Sequence, residues 1–200
     1  MLNLVYTSSI KDMPLLFSEM RRTAILLQEG HSKEQILTMS AEQNIYQLNR
    51  ERRRRELPLR IFNRLNGISS SLLPTLAWGD EQEGKLVALL TLLKADRLFF
   101  EYINEVFLDC YQAGKEDVSD HLFVYFIESK AQESDKVAAW GTCNLVSIRN
   151  AYKNILCEVG LAKKTNEGMA IQKPFVDSDF RNLLQEEDAA YVRAILLEVS

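Results

Sequence analysis

Seven arginines fall within fifteen residues of this 200-residue chain: Arg50, Arg52, Arg53, Arg54, Arg55, Arg60 and Arg64. Between residues 44 and 64 only Glu51 and Glu56 oppose them, so this window carries +5 while the whole chain sums to −4. A guanidinium is a planar fork of donors that matches phosphate oxygens, and clustered like charges raise the local anion concentration. The run therefore points to a surface that grips a nucleic-acid backbone. Its competitor is a solvated helix face laced by Glu51 and Glu56, since basic runs occur on both.

A second basic set lies near the C-terminus. Residues 141–173 hold five basic side chains, among them Arg149, Lys153, Lys163 and Lys164, against two acidic ones. The pattern there predicts a helix opened by Thr142, with Leu145, Ile148, Tyr152, Ile155 and Val159 inward. Ser147, Arg149, Asn150, Lys153 and Asn154 fall on its outer face. Two short strands follow, over residues 161–164 and 169–171, around Asn166-Glu167-Gly168. Before it come a helix capped by Ser119 or Asp120 and a brief one capped by Ser134 or Asp135. Helix, short helix, longer helix, basic hairpin is the order of a winged helix-turn-helix. Such a module sets its third helix in the major groove and rests its hairpin on phosphates. Asn150 and Asn154 would then reach toward base edges. Winged helices also serve protein partners.

Residues that could carry catalysis are isolated. His31 and His121 each stand alone in a turn or a first helical turn, Glu186-Glu187-Asp188 reads as a solvated helix, and Cys110, Cys143 and Cys157 show no metal or redox spacing. No Gly-rich phosphate loop or nucleophile elbow is present. The sequence therefore predicts no enzyme, no cofactor and no metal. Three unspaced cysteines fit reduced, mostly buried thiols of a cytoplasmic protein. The N-terminus lacks a signal-peptide layout. The apolar run from Leu86 is cut at Lys94, Asp96 and Arg97, short of a bilayer span, so a soluble chain is expected.

The elements that must position the arginines are helical. Eight Gly and four Pro argue against an all-β fold. After a short extended arm, Asp12 and Pro14 open a helix that Gly30 ends; Ser32 and Gln35 then form a capping box for the next. The arginine run follows, with a break or kink expected near Leu57-Pro58. Residues 83–113 show the strongest helical periodicity, one long central helix stopped by Gly114, with Lys115-Glu116-Asp117 as the clearest boundary. The tail over residues 177–199 reads as one amphipathic helix. The expected fold is all-α: a compact helical bundle with a C-terminal winged-helix-like lobe carrying a small β-hairpin. Residues 1–115 form the arginine-bearing lobe and 116–200 the other, the two packed as one unit.

With these residues in view, the chain resembles the BrxA family, small proteins of the bacterial BREX phage-exclusion systems. The resemblance rests on Glu42-Gln43-Asn44 with the basic run and Arg64-Leu65, on Leu93, Phe99 and Glu105-Val106, and on Trp140, Arg149 and Leu156-Cys157-Glu158-Val159-Gly160-Leu161. It implies a cytoplasmic, non-catalytic, mostly helical protein that binds double-stranded DNA in antiviral defence. The partners it implies are a methyltransferase, an ATPase and an alkaline-phosphatase-like protein. Two rivals stand beside this: an adaptor gripping an acidic protein, and an RNA-binding bundle, which the lack of interleaved aromatics disfavours.

Overall fold

The computed structural model describes residues 5–198. It is mostly helical, with a small antiparallel sheet of three strands among the described residues. The chain divides into two compact units, each drawn from distant stretches. One comprises Leu16–Leu92 and Val176–Glu187, here the arginine unit; the other comprises residues 5–15, Leu93–Phe175 and residues 188–198, the hairpin unit.

In the arginine unit, α1 (Phe17–Gln28) buries Phe17, Met20, Thr23, Ala24 and Leu26. It starts three residues after Pro14, from Leu16 in a left-handed conformation. Gly30 takes φ +90° beyond its end, where the His31 N–H reaches back to the Leu26 carbonyl. The capping box forms as expected: Ser32 accepts from the Gln35 N–H while Gln35 accepts from the Ser32 N–H, opening α2 (Lys33–Gln43).

All the arginines of the run but Arg50, which is the N-cap residue, lie on α3 (Glu51–Leu65), which continues through Pro58 without the expected break. A proline inside a helix leaves the carbonyl four residues back without its N–H. Here that acceptor is Arg54, and its carbonyl takes a 2.6 Å hydrogen bond from the Ser40 hydroxyl of α2 instead. Ser40 is fully buried. The neighbouring helix supplies the donor that proline lacks. Leu26, Ile36 and Phe62 form a core cluster that joins α1, α2 and α3.

After α3 a short 3-10 turn leads into α4 (Leu73–Trp78). Glu186 accepts from the Ser69 and Ser71 hydroxyls, and Glu187 from the Ser69 N–H. The expected long helix is interrupted. α5 (Glu81–Ala95) stops at Asp96, which turns extended and caps the Phe99 N–H to begin α6 (Arg97–Tyr102). A π-helical stretch, Ile103–Leu108, joins α6 to α7 (Asp109–Gln112).

In the hairpin unit, the expected charged boundary is a loop through Lys115 and Glu116 that leads directly into a strand, β1 (Asp117–Ser119). Then come α8 (Asp120–Glu133), α9 (Asp135–Ala138) and α10 (Thr142–Glu158). Thr142 is the first residue of α10 rather than its cap; Gly141 holds that place with no side-chain bond. The expected hairpin forms as β2 (Ala162–Lys164) and β3 (Gly168–Ile171), with β3 central between β1 and β2. A Cβ at Gly168 would overlap the Val118 carbonyl oxygen, so this crossing needs glycine. The tail is not one helix but α11 (Ser178–Leu183), a 3-10 turn and α12 (Ala189–Leu196); Val199 lies outside the described residues. Of the N-terminal arm, residues 1–4 lie outside them, and Ser9–Lys11 form a 3-10 turn.

The hairpin unit's core is aromatic. The Tyr102 ring centroid lies 5.0–5.8 Å from those of Tyr152, Phe126 and Phe123, the two phenylalanines edge-on, and Phe99 lies 4.5 Å from Tyr152.

Candidate nucleic-acid interface

The inward arc of α3 carries Leu57, Pro58, Ile61, Phe62 and Leu65, all buried. Side chains on the opposite half of the helix circumference point outward. Arg52, Arg53, Arg55 and Arg60 are exposed on the helix, and Arg50 is exposed at its N-cap. Among the described residues Arg50 and Arg60 form no ion pair. Arg52 and Arg55 each make an intrahelical pair at 2.6 Å, with Glu56 and Glu51 respectively. Pairs this exposed are screened by salt and hold their side chains loosely. Arg54 is half-buried, its Nε donating to the Leu48 carbonyl at 3.0 Å. Arg64 shares the angular register of Arg53 and Arg60, but the fold closes over it and only 8% of it is exposed. From Arg50 to Arg60, six arginines meet two glutamates, so the segment keeps a positive charge on a negative chain.

The second basic set is tied differently. Arg149 and Lys153 lie one turn apart on α10, and both reach Asp120 at the start of α8, at 3.6 and 2.9 Å. Both are half-buried, and the Arg149 Nε is buried without a hydrogen-bond partner. Lys163 and Lys164 on β2, and Asn150 and Asn154 on α10, are exposed. Asn150, Lys153, Asn154 and Lys164 line a shallow depression of about 380 Å3. Residues from the helix and the hairpin thus meet in one polar hollow.

A charge cluster in the hairpin unit had no signal in the sequence. Lys130 of α8, only 6% exposed, lies 2.7 Å from Glu105, 3.1 Å from Glu101 and 3.9 Å from Glu133. Arg97 joins Glu101 at 2.6 Å, and the Tyr6 hydroxyl donates to the same carboxylate at 2.9 Å. Burial pushes the Glu101 carboxyl up, but hydrogen bonds from Arg97, Lys130 and Tyr6 outweigh it and hold the group below the usual carboxylate range. Burial, then the hydrogen bond to Glu101, pushes the Tyr6 phenol up to about 12. The spacing of Glu101, Glu105 and Lys130 fits their helices, but only tertiary packing brings them together.

His31 lies in the turn between α1 and α2, and His121 is exposed in the first turn of α8. Cys110 is buried and Cys157 half-buried, but Cys143 is exposed. Among the described residues no group of three His, Cys, Asp or Glu could hold a metal ion, and no helix is long and apolar enough to cross a membrane.

The structure is thus a helical protein with two basic surfaces and a three-stranded sheet. The BrxA family model matches residues 5–188, so the chain belongs to the BrxA family. It is 35% identical over 175 residues to the BREX protein BrxA of Bacillus cereus (strain H3081.97), covering 88% of each chain. Its fold is shared with an uncharacterized protein from Magnetospirillum magneticum, with TM-score 0.78 and 18% identity over 96% of this chain and 99% of that one.

Proposed function

We propose that this protein acts in a BREX phage-exclusion system as a non-catalytic binder of double-stranded DNA. Family membership and the relative described as BREX protein BrxA support the first half of the reading. The second half rests on one observation: Arg52, Arg53, Arg55 and Arg60 are exposed on a helix kept unbroken through Pro58, with Arg50 exposed at its N-cap. Contacts of this kind are to phosphates and carry little sequence preference. Arg54 and Arg64 shape that surface from beneath.

The hairpin unit fits a winged-helix role. Its order of β1, α8, α9, α10, β2 and β3, with β3 central, puts α10 beside a basic hairpin. Lys163 and Lys164 are its outward cations, while Arg149 and Lys153 share their charge with Asp120. The DNA-contacting set in this reading comprises both groups. The cytoplasm, where phage DNA is met, is the compartment it requires, and other BREX proteins are the partners it implies.

Duplex affinity measured against salt concentration tests the reading. Each phosphate neutralised adds about −0.9 to the logarithmic slope, so Arg53→Glu with Arg60→Glu should flatten it by roughly 1.8. An unchanged slope removes α3 from the interface. Retention of a partner protein after nuclease treatment, with no duplex binding at all, would instead favour the adaptor.

A further inference from the structure

A groove of about 460 Å3 runs along the hairpin unit between α8 on one side and the π-helical stretch with α7 on the other. Its lining includes the apolar Val106, Leu122 and Phe126. Glu105 and Asp109, one turn apart and both exposed, stand along one wall. Tyr125, 67% exposed, stands at its rim, and Val124 beside it is also exposed. Val106 and Phe126 form a mostly buried floor, while Leu122 and Tyr125, one turn apart on α8, leave apolar surface open to a partner.

Two further observations say what covers it. The wall that carries Glu105 and Val106 is π-helical, an irregularity that recurs at functional sites. The wall's charge is opposite to that of the arginine surface. Glu105 is held in place by the buried Lys130 at 2.7 Å while staying half-exposed. Asp109 forms no ion pair among the described residues. Lys115, past the end of α7, also lines the groove. A partner must therefore bring apolar side chains for the trough and cations for the wall.

We infer that this groove docks an amphipathic helix of another protein, with apolar residues at i, i+3 or i+4 and i+7 and lysine or arginine flanking them over Glu105 and Asp109. This is the helix-in-groove mode of recognition. It is independent of DNA binding, and its charge preference is the reverse of the arginine surface's.

A display library of helix-favouring peptides about four turns long, selected on the full chain, is the probe. Enriched peptides should show that apolar spacing with basic flanks. Their affinity, read by fluorescence anisotropy, should fall by roughly tenfold or more on Asp109→Lys, which turns attraction into repulsion, and on Tyr125→Ala, which removes a large aromatic contact. Both positions are exposed, and thermal melting checks that each variant is folded. Duplex affinity should not change, which separates failure here from failure of the DNA reading. Acidic peptides, peptides that bind both variants as well as the parent chain, or no enrichment over a blank surface would overturn the inference. Self-association abolished by Asp109→Lys would give the groove to a second copy of this chain and overturn the choice of occupant.

Discussion

The two basic regions are built by opposite rules. On α3 the cations spread over the exposed side of a helix whose other side is buried, and their carboxylate partners are neighbours in the same exposed helix. On α10, Arg149 and Lys153 are tied across elements to Asp120, half-buried, with one guanidinium nitrogen left unsatisfied. The first arrangement keeps charge available to an outside anion. The second uses charge to join α8 to α10 and leaves the hairpin lysines as the outward part. A basic count alone treats the two as equal; burial separates them.

That contrast breaks or sharpens under substitution, and the largest effect should fall on the internal use of charge. Lys130→Met leaves Glu105 without its cation and Glu101 with Arg97 alone. The cost should be about 3 kcal/mol in denaturant unfolding, the low end for a broken buried pair because Glu105 keeps half its surface in water. A loss near zero would mean the hairpin unit's charges are as dispensable as those on α3.

Asp120→Ala comes next. Removing a carboxylate that serves two half-buried cations should cost about 1.5–2 kcal/mol. If the proposed DNA surface includes α10, the freed cations should steepen the salt slope by up to roughly 1.8. Stability lost with no change in slope would confine Arg149 and Lys153 to a structural role.

Ser40→Ala orphans the Arg54 carbonyl and should cost about 1–2 kcal/mol. In a Pro58→Ala background the restored N–H takes that carbonyl, and the cost of losing Ser40 should shrink to a fraction. A double-mutant cycle reads the coupling directly; simple additivity would remove Ser40 as the partner of the proline site.

The smallest effect is in pH. Glu101 has its folded pKa held below its unfolded value, so its contribution is fully present above about pH 4.3 and is lost as pH falls through the lowered value. The stability of Glu101→Gln should therefore fall less steeply on acidification below that point. An identical acid limb in both proteins would remove Glu101 from the acid response.

Much of the local structure was legible because its causes are local. The Ser32 and Gln35 box, the stop at Gly30 and the hairpin around Gly168 each depend on residues close in sequence. The misjudged places are where distant chain intervenes. Pro58 should have broken α3, and Ser40 of another helix prevents it. The long apolar periodicity hid Asp96, whose side chain is a cap as well as a charge. β1 had no signal of its own, since three residues become a strand only because β3 passes beside them.

By itself the sequence determined that the protein is helical, that its positive charge is concentrated in one run, and which family it resembles. The first two follow from composition, periodicity and spacing and the third from matching residues, all of which survive in any arrangement of the helices. Only tertiary structure decided which cations face outward and which are held inward by carboxylates. That depends on which side of each helix the rest of the chain covers, and one buried hydroxyl or one shared aspartate is enough to change it.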